Sequence, residues 1–191
     1  FIGRAPVQNA SQTTAFVNKS LNYEQNHPLS DFSYKYLSAG CELWNTWDGH
    51  SDADWRSEAM WTDVISPYWW GTKYKYYDTD TDFSGGAGYD VTADHTVDVF
   101  NDGYNIFWMA THGGQTAWGM EGENPAFVSS DALSLTNLNE EGIIVTMACN
   151  SNAFETEVYG NDPCLSEGFL RNANGGAVAY HGSSRYGWGN G

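Results

Sequence analysis

A three-layer α/β domain, with helices flanking a mostly parallel sheet, is the fold class this sequence predicts. Two observations carry that expectation. Residues 104–111 and 142–147 form apolar, β-prone runs that end on the dyads His112-Gly113 and Ala148-Cys149. Uninterrupted runs of this kind read as buried parallel strands. The second observation is the alternation of such runs with helical patterns along the whole chain, which gives a layered α/β domain.

Taken in order, residues 1–7 read as a strand end and a loop. A helix follows over about 9–24, with Phe16, Val17 and Leu21 on one side. Residues 34–39 are a strand that enters a polar, Trp-rich loop over 42–52. A helix is predicted after Asp54, with Met60, Trp61, Val64 and Ile65 as its apolar stripe, then a strand over 73–77. Residues 78–90 are a Gly/Asp-rich loop. Residues 92–101 fit a helix with Ala93, Val97 and Phe100 inward, closed by Gly103. Between the two long apolar runs lies a polar segment with a short helix near 130–135. Asp162 and Pro163 look like the N-cap and first turn of a helix to about Asn172. It stops before Gly175-Gly176, and residues 177–181 form the next strand. No internal repeat or long linker divides the chain.

The 191 residues suffice for one sizeable core, and 41% hydrophobic content argues against disorder. The opening Phe1-Ile-Gly-Arg4 reads as the interior of a strand, so a fragment of a longer chain is expected. No apolar run reaches membrane-span length. Eight Lys and Arg against 24 Asp and Glu give a formal charge of −16. That excludes the basic footprint of a nucleic-acid or anionic-membrane binder. Three cysteines, Cys41, Cys149 and Cys164, carry no CxxC spacing, so neither a disulfide framework nor a zinc site is indicated.

The chemistry lies in the two dyads. In open α/β sheets the ligand crevice forms at the C-terminal ends of the strands. An imidazole and a thiol delivered to neighbouring strand ends form a base and nucleophile pair. A glycine directly after the His lets a backbone N–H turn toward a developing oxyanion. Asp78-Thr79-Asp80-Thr81-Asp82 has alternating carboxylates like a calcium loop, but lacks the late Glu of an EF-hand and reads as a solvated acidic turn. His181, at another strand end, reads as structural or pocket-lining.

Several segments in order resemble the gingipain-type cysteine peptidases, peptidase family C25 of the caspase-like clan, over nearly all 191 residues. They are Phe1-Ile-Gly-Arg-Ala-Pro-Val7, Lys19 with Tyr23-Glu24, Thr111-His112-Gly113-Gly114 with Ala117-Trp118-Gly119, and Ala148-Cys149 with Phe154. Pro163-Cys164-Leu165-Ser166-Glu167 and Gly176-Ala177-Val178-Ala179 through Trp188 complete the set. The resemblance implies that residues 1–191 are a caspase-like catalytic subdomain. It implies Cys149 as nucleophile, His112 as general base and acid, and the Gly113 and Cys149 backbone N–H groups as the oxyanion hole. Residues 150–154 are then expected to lead into a helix whose N-terminus favours the thiolate.

Glu42 aligns with the carboxylate that orients the His, against the alternative of a solvated loop glutamate. Asp54 aligns with the acid at the base of a pocket for basic P1 side chains, against the alternative of a helix N-cap. Trp188 aligns with an aromatic wall of that pocket, against a buried tryptophan. The implied protein is a secreted or cell-surface cysteine endopeptidase acting on peptide or protein substrates. It needs no cofactor, although a structural calcium ion in the acidic loops is compatible with the family. A transpeptidase or sorting enzyme of the same fold is the alternative. A non-catalytic surface domain that binds through the nine tryptophans is another.

Overall fold

The computed structural model describes residues 3–26, 30–41, 43, 52–77, 91–120, 126–155 and 163–187. The described elements are α1 (Ala10–Gln25), β1 (Lys35–Gly40), α2 (Asp52–Ala59), β2 (Thr72–Tyr77) and α3 (Ala93–Asn101). They continue with β3 (Ile106–Ala110), β4 (Gly113–Gly114), β5 (Ala117–Trp118), β6 (Phe127–Val128) and α4 (Ser129–Ser134). The last are β7 (Gly142–Thr146), α5 (Leu165–Arg171) and β8 (Ala177–His181). The α2 helix runs on as a π-helical segment over Met60–Ile65. Five strands form one sheet in the order β2-β1-β3-β7-β8, and every neighbouring pair is parallel. The mixed α/β architecture read from the alternation is therefore the one observed.

Strand periodicity sorts the core into two layers. Leu37, Ala39, Phe107, Met109 and Ile144 face one side and pack with Phe100, Ala132, Leu135, Leu165 and Phe169. Tyr36, Trp108 and Ala110 face the other, where Ala53, Met60, Trp61 and Ile65 from the α2 region cover them. The first layer also holds a feature not expected from sequence. Strands β4, β5 and β6 make a small antiparallel sheet inside the segment read as a polar connection. Strands of two residues are too short to show a period, which is why no pattern announced them. Their product is Trp118, fully buried, with ring centroids 5.5 Å from Phe127 and 5.3 Å from Phe169.

Three local readings are corrected. The inward side of α1 centres on Lys19, whereas Val17 and Leu21 are 45% and 44% exposed. Lys19 Nζ donates to the carbonyls of Phe169, in the last turn of α5, and Gly175, beyond it, at 3.0 and 3.1 Å. Burial pushes its ammonium down to about 8, with Glu141 opposing. The α5 helix starts at Leu165 with Cys164 as its N-cap, because the Cys164 N–H donates to Glu167 Oε2 at 3.0 Å. Pro163 therefore precedes the helix, and Asp162 lies outside the described residues. Residues 149–152 form a turn, and no helix follows Cys149 as far as residue 155. The α3 boundary holds: Thr92 Oγ1 accepts from the His95 N–H, and Gly103 ends the helix at φ +68°, a left-handed conformation that suits glycine.

Every residue of α5 is buried, including an ion pair. Arg171 Nη2 meets Glu167 Oε1 at 2.7 Å, and Arg171 Nε donates to the Pro6 carbonyl at 2.6 Å. Removing one member strands the other charge away from water. Arg171→Ala is expected to lower the unfolding free energy by about 3–5 kcal/mol. The double variant Arg171→Ala/Glu167→Ala should lose less than the sum of the two singles. Urea titrations of all four proteins check both statements.

Candidate active site

His112 and Cys149 reach the same sheet edge because of one register. Met109 of β3 pairs with Thr146 of β7, and from that pair each chain runs three residues onward, 109 to 112 and 146 to 149. Local bonds hold both exits. Thr146 Oγ1 donates to the Met109 carbonyl at 2.9 Å and accepts from the Ala148 N–H at 3.1 Å. Thr111 Oγ1 donates to the Gly119 carbonyl at 2.6 Å, and the Gly119 N–H returns to the His112 carbonyl at 2.8 Å.

The two exits touch at Gly113. A Cβ built there would lie 2.7 Å from both the Ala148 Cβ and the Cys149 carbonyl oxygen, and 3.1 Å from the Cys149 nitrogen. Only a residue without a side chain allows the two backbones so close. The glycine after His112 is thus required by space, in addition to any role of its N–H.

Cys149 is partly exposed and opens the turn. Asn150 adopts φ +55°, a left-handed conformation that asparagine tolerates. Its N–H donates to the Arg185 carbonyl at 2.8 Å, and the Asn152 N–H donates to Ser183 at 3.1 Å. The segment after β8 therefore braces the cysteine turn. Within it the Gly187 N–H donates to Cys149 Sγ at 3.3 Å. His112 is exposed, and its Nε2 is hydrogen-bonded to the Leu43 carbonyl. The other two thiols are elsewhere. Cys41 is buried in the first core layer, and burial pushes the Cys164 thiol up.

Gly187 also lines a groove of about 750 Å³. Met60, Val64, Trp108, Met147 and Tyr186 supply apolar walls, and Arg56 and Asp63 supply charge. The groove lies where α2 and its π-helical extension overhang β3 and β7. Asp54 is not among its lining residues: it is fully buried, and its Oδ1 accepts the Trp55 N–H at 2.6 Å. The helix already starts at Asp52, so Asp54 belongs to its first turn and is not the N-cap. Glu42, Trp188 and the acidic run 78–90 lie outside the described residues. Among the described residues, no cluster of three or more His, Cys, Asp or Glu side chains could hold a metal ion. His181 ends β8 and lines a separate cleft with Arg4, Asn152 and Phe154.

Sequence reasoning missed Leu43, Gly187 and Asp63. The first two act through backbone atoms, which leave no residue-type signal. Asp63 looks like any charge on an exposed helix face.

The family model for peptidase family C25 matches residues 1–191. The chain belongs to peptidase family C25. Its structure is similar to that of gingipain R, described as an Arg-specific cysteine proteinase, with a TM-score of 0.67 at 23% identity over 94% of this chain. The complex of Porphyromonas gingivalis RgpB pro- and mature domains matches at 0.70 and 23% over 97% of this chain. A further protease structure matches at 0.70 and 18% over 95%. These likenesses show the caspase-like gingipain fold. The chain spans 39%, 41% and 36% of the three matched chains. No curated protein matches the chain.

The contact at Gly113 has a measurable consequence. Gly113→Ala should cost about 1–3 kcal/mol of unfolding free energy, the usual penalty for overpacking. Gly114→Ala is the control, since a Cβ there meets nothing within 4 Å. Urea midpoints for the two variants should differ clearly, with the Gly114 variant close to wild type.

Proposed function

We propose that this chain carries the thiol and imidazole of a cysteine endopeptidase of family C25, secreted or at the cell surface. The observation that carries it is the delivery of His112 and Cys149 to one edge by adjacent parallel strands, with Gly113 packed between them. A thiol on a braced turn beside an open groove suits attack on a bound peptide, whereas Cys41 and Cys164 are buried.

In this mechanism His112 takes the Cys149 proton, and the thiolate attacks the scissile carbonyl carbon. The Gly113 and Cys149 N–H groups hold the oxyanion, each such donor commonly contributing about 3 kcal/mol to catalysis. His112 then protonates the leaving amine as the tetrahedral species collapses to a thioester on Cys149. Water, deprotonated by His112, attacks the thioester and releases the acid, returning the proton to the thiolate. None of these steps needs a cofactor. A structural calcium ion bound elsewhere in the acidic chain is compatible with them. No helix among the described residues is long and apolar enough to cross a membrane.

The groove beside Gly187 is the natural seat for the P1 side chain. Trp108, Met60 and Met147 suit the stem of a long residue, and a carboxylate gives a basic head group its partner. Asp63 is placed to supply that charge among the described lining residues. Asp54, in the first turn of α2, is the acid that the family resemblance assigns to the same preference, and Trp188 adds an aromatic wall. Glu42, next to Leu43 in sequence, adds a carboxylate to orient His112.

Two measurements follow. Cys149→Ala and His112→Ala should each reduce peptide turnover by at least about 1,000-fold, with unchanged circular dichroism. Cys41→Ala and Cys164→Ala should keep most of the rate per folded molecule. A P1 substrate library should show Arg above Lys for the wild type. Asp63→Asn should cut the Arg preference about tenfold in kcat/KM, roughly the loss of one charge-assisted contact. Asp54→Asn profiled beside it shows which carboxylate sets the preference.

A further inference from the structure

The contact at His112 extends back to a residue that the catalytic scheme does not use. Leu43 is buried, with 5% exposure, against Tyr36, Ala53 and Trp108. Its carbonyl meets His112 Nε2, and its own N–H donates to Asp52 Oδ1 at 2.9 Å. A continuous path therefore runs from the Asp52 carboxylate through the backbone of a single residue, Leu43, to the imidazole. Asp52 is the first residue of α2, so the path is anchored on a helix packed against β1 and β3.

We propose that Asp52 is a positioning residue for His112, acting by fixing the Leu43 backbone; this rests on the dyad assignment above. A backbone carbonyl can only accept, so the Nε2 that faces it carries the hydrogen. That fixes the tautomer and leaves Nδ1 as the nitrogen that takes the thiol proton. The Leu43 N–H and carbonyl belong to successive peptide groups joined at its α-carbon, so the contribution of Asp52 is geometric: its bond fixes the Leu43 backbone and with it the aim of the carbonyl at Nε2. A carbonyl held in line stabilises the imidazolium that forms once the thiol proton has moved. Asp52 thus supports that state from outside the groove, without touching substrate.

The test compares Asp52→Asn and Asp52→Ala with wild type in the full chain, reading kcat, KM, thermal midpoint and the rate of iodoacetamide alkylation at Cys149 by mass spectrometry. Asp52→Ala should lower both kcat and alkylation about tenfold, with KM within twofold. Asp52→Asn keeps an acceptor oxygen, so it should fold like wild type and recover most of the rate. Loss of thermal stability in both variants, with kcat and alkylation unchanged in the folded protein, would make Asp52 merely structural and overturn the proposal. Glu42→Gln abolishing the rate while both Asp52 variants remain fully active would also overturn it, giving the orienting role to that carboxylate. A wild-type Cys149 that alkylates no faster than free cysteine, with no turnover, overturns the dyad assignment itself and the Asp52 role with it.

Discussion

The parallel register of β3 against β7 is the constraint on which the candidate site depends. Met109 sits opposite Thr146, and the Thr146 hydroxyl bridges the two strands just before they end. From there the chains leave the sheet side by side, and the missing side chain at Gly113 lets them stay in contact. A shift of one residue would turn each strand's core-facing side chains outward. Phe107, Met109 and Ile144 would then leave the aromatic core around Trp118. The apolar burial that stabilises the sheet therefore also fixes the relation of imidazole to thiol.

A second layer of interactions secures the helix that overhangs the site. Trp108 Nε1 donates to Ser57 Oγ at 3.0 Å, and the Ser57 hydroxyl lies against the carbonyls of Ala39 and Ala53. At the next position, Glu58 meets Lys73 at 2.7 Å and Lys75 at 3.2 Å, and accepts from Tyr77 Oη at 2.8 Å. Burial opposes ionisation of Glu58, but the bonds from Lys73 and Tyr77 outweigh it and hold the carboxyl below its ordinary value. These contacts join α2 to β1, β2 and β3 at once. The groove wall formed by Met60 and Val64, and Asp52 at the other end of α2, are consequently tied to the sheet that carries His112.

Legibility varied with the physical origin of each feature. The long apolar strands were plain, because burial on both faces writes itself as a continuous run of residue types. Helix ends were plain where a side chain did the capping, as at Thr92, and misread where two competing signals lay close together. Asp162-Pro163 resembles a helix start more than Cys164 does, yet the Glu167 carboxylate reaches back to the Cys164 N–H. The inward side of α1 was misassigned for a similar reason. Val17 and Leu21 are apolar, but the docking site opposite α1 offers two carbonyls, and a lysine satisfies them.

The sequence by itself determined the fold class, the order of the parallel strands' C-terminal dyads and the identities of His112, Gly113 and Cys149 as the chemically distinctive residues. Those features are encoded by residue type and local period. Tertiary structure alone decided which carboxylate faces the groove, which segment braces the cysteine turn and which carbonyl meets the imidazole. Asp54 and Asp63 are the same residue type, but one is buried in the first turn of α2 and the other is exposed on its π-helical extension. Leu43 and Gly187 act through main-chain atoms common to every residue, so only the three-dimensional approach of distant segments gives those atoms a role.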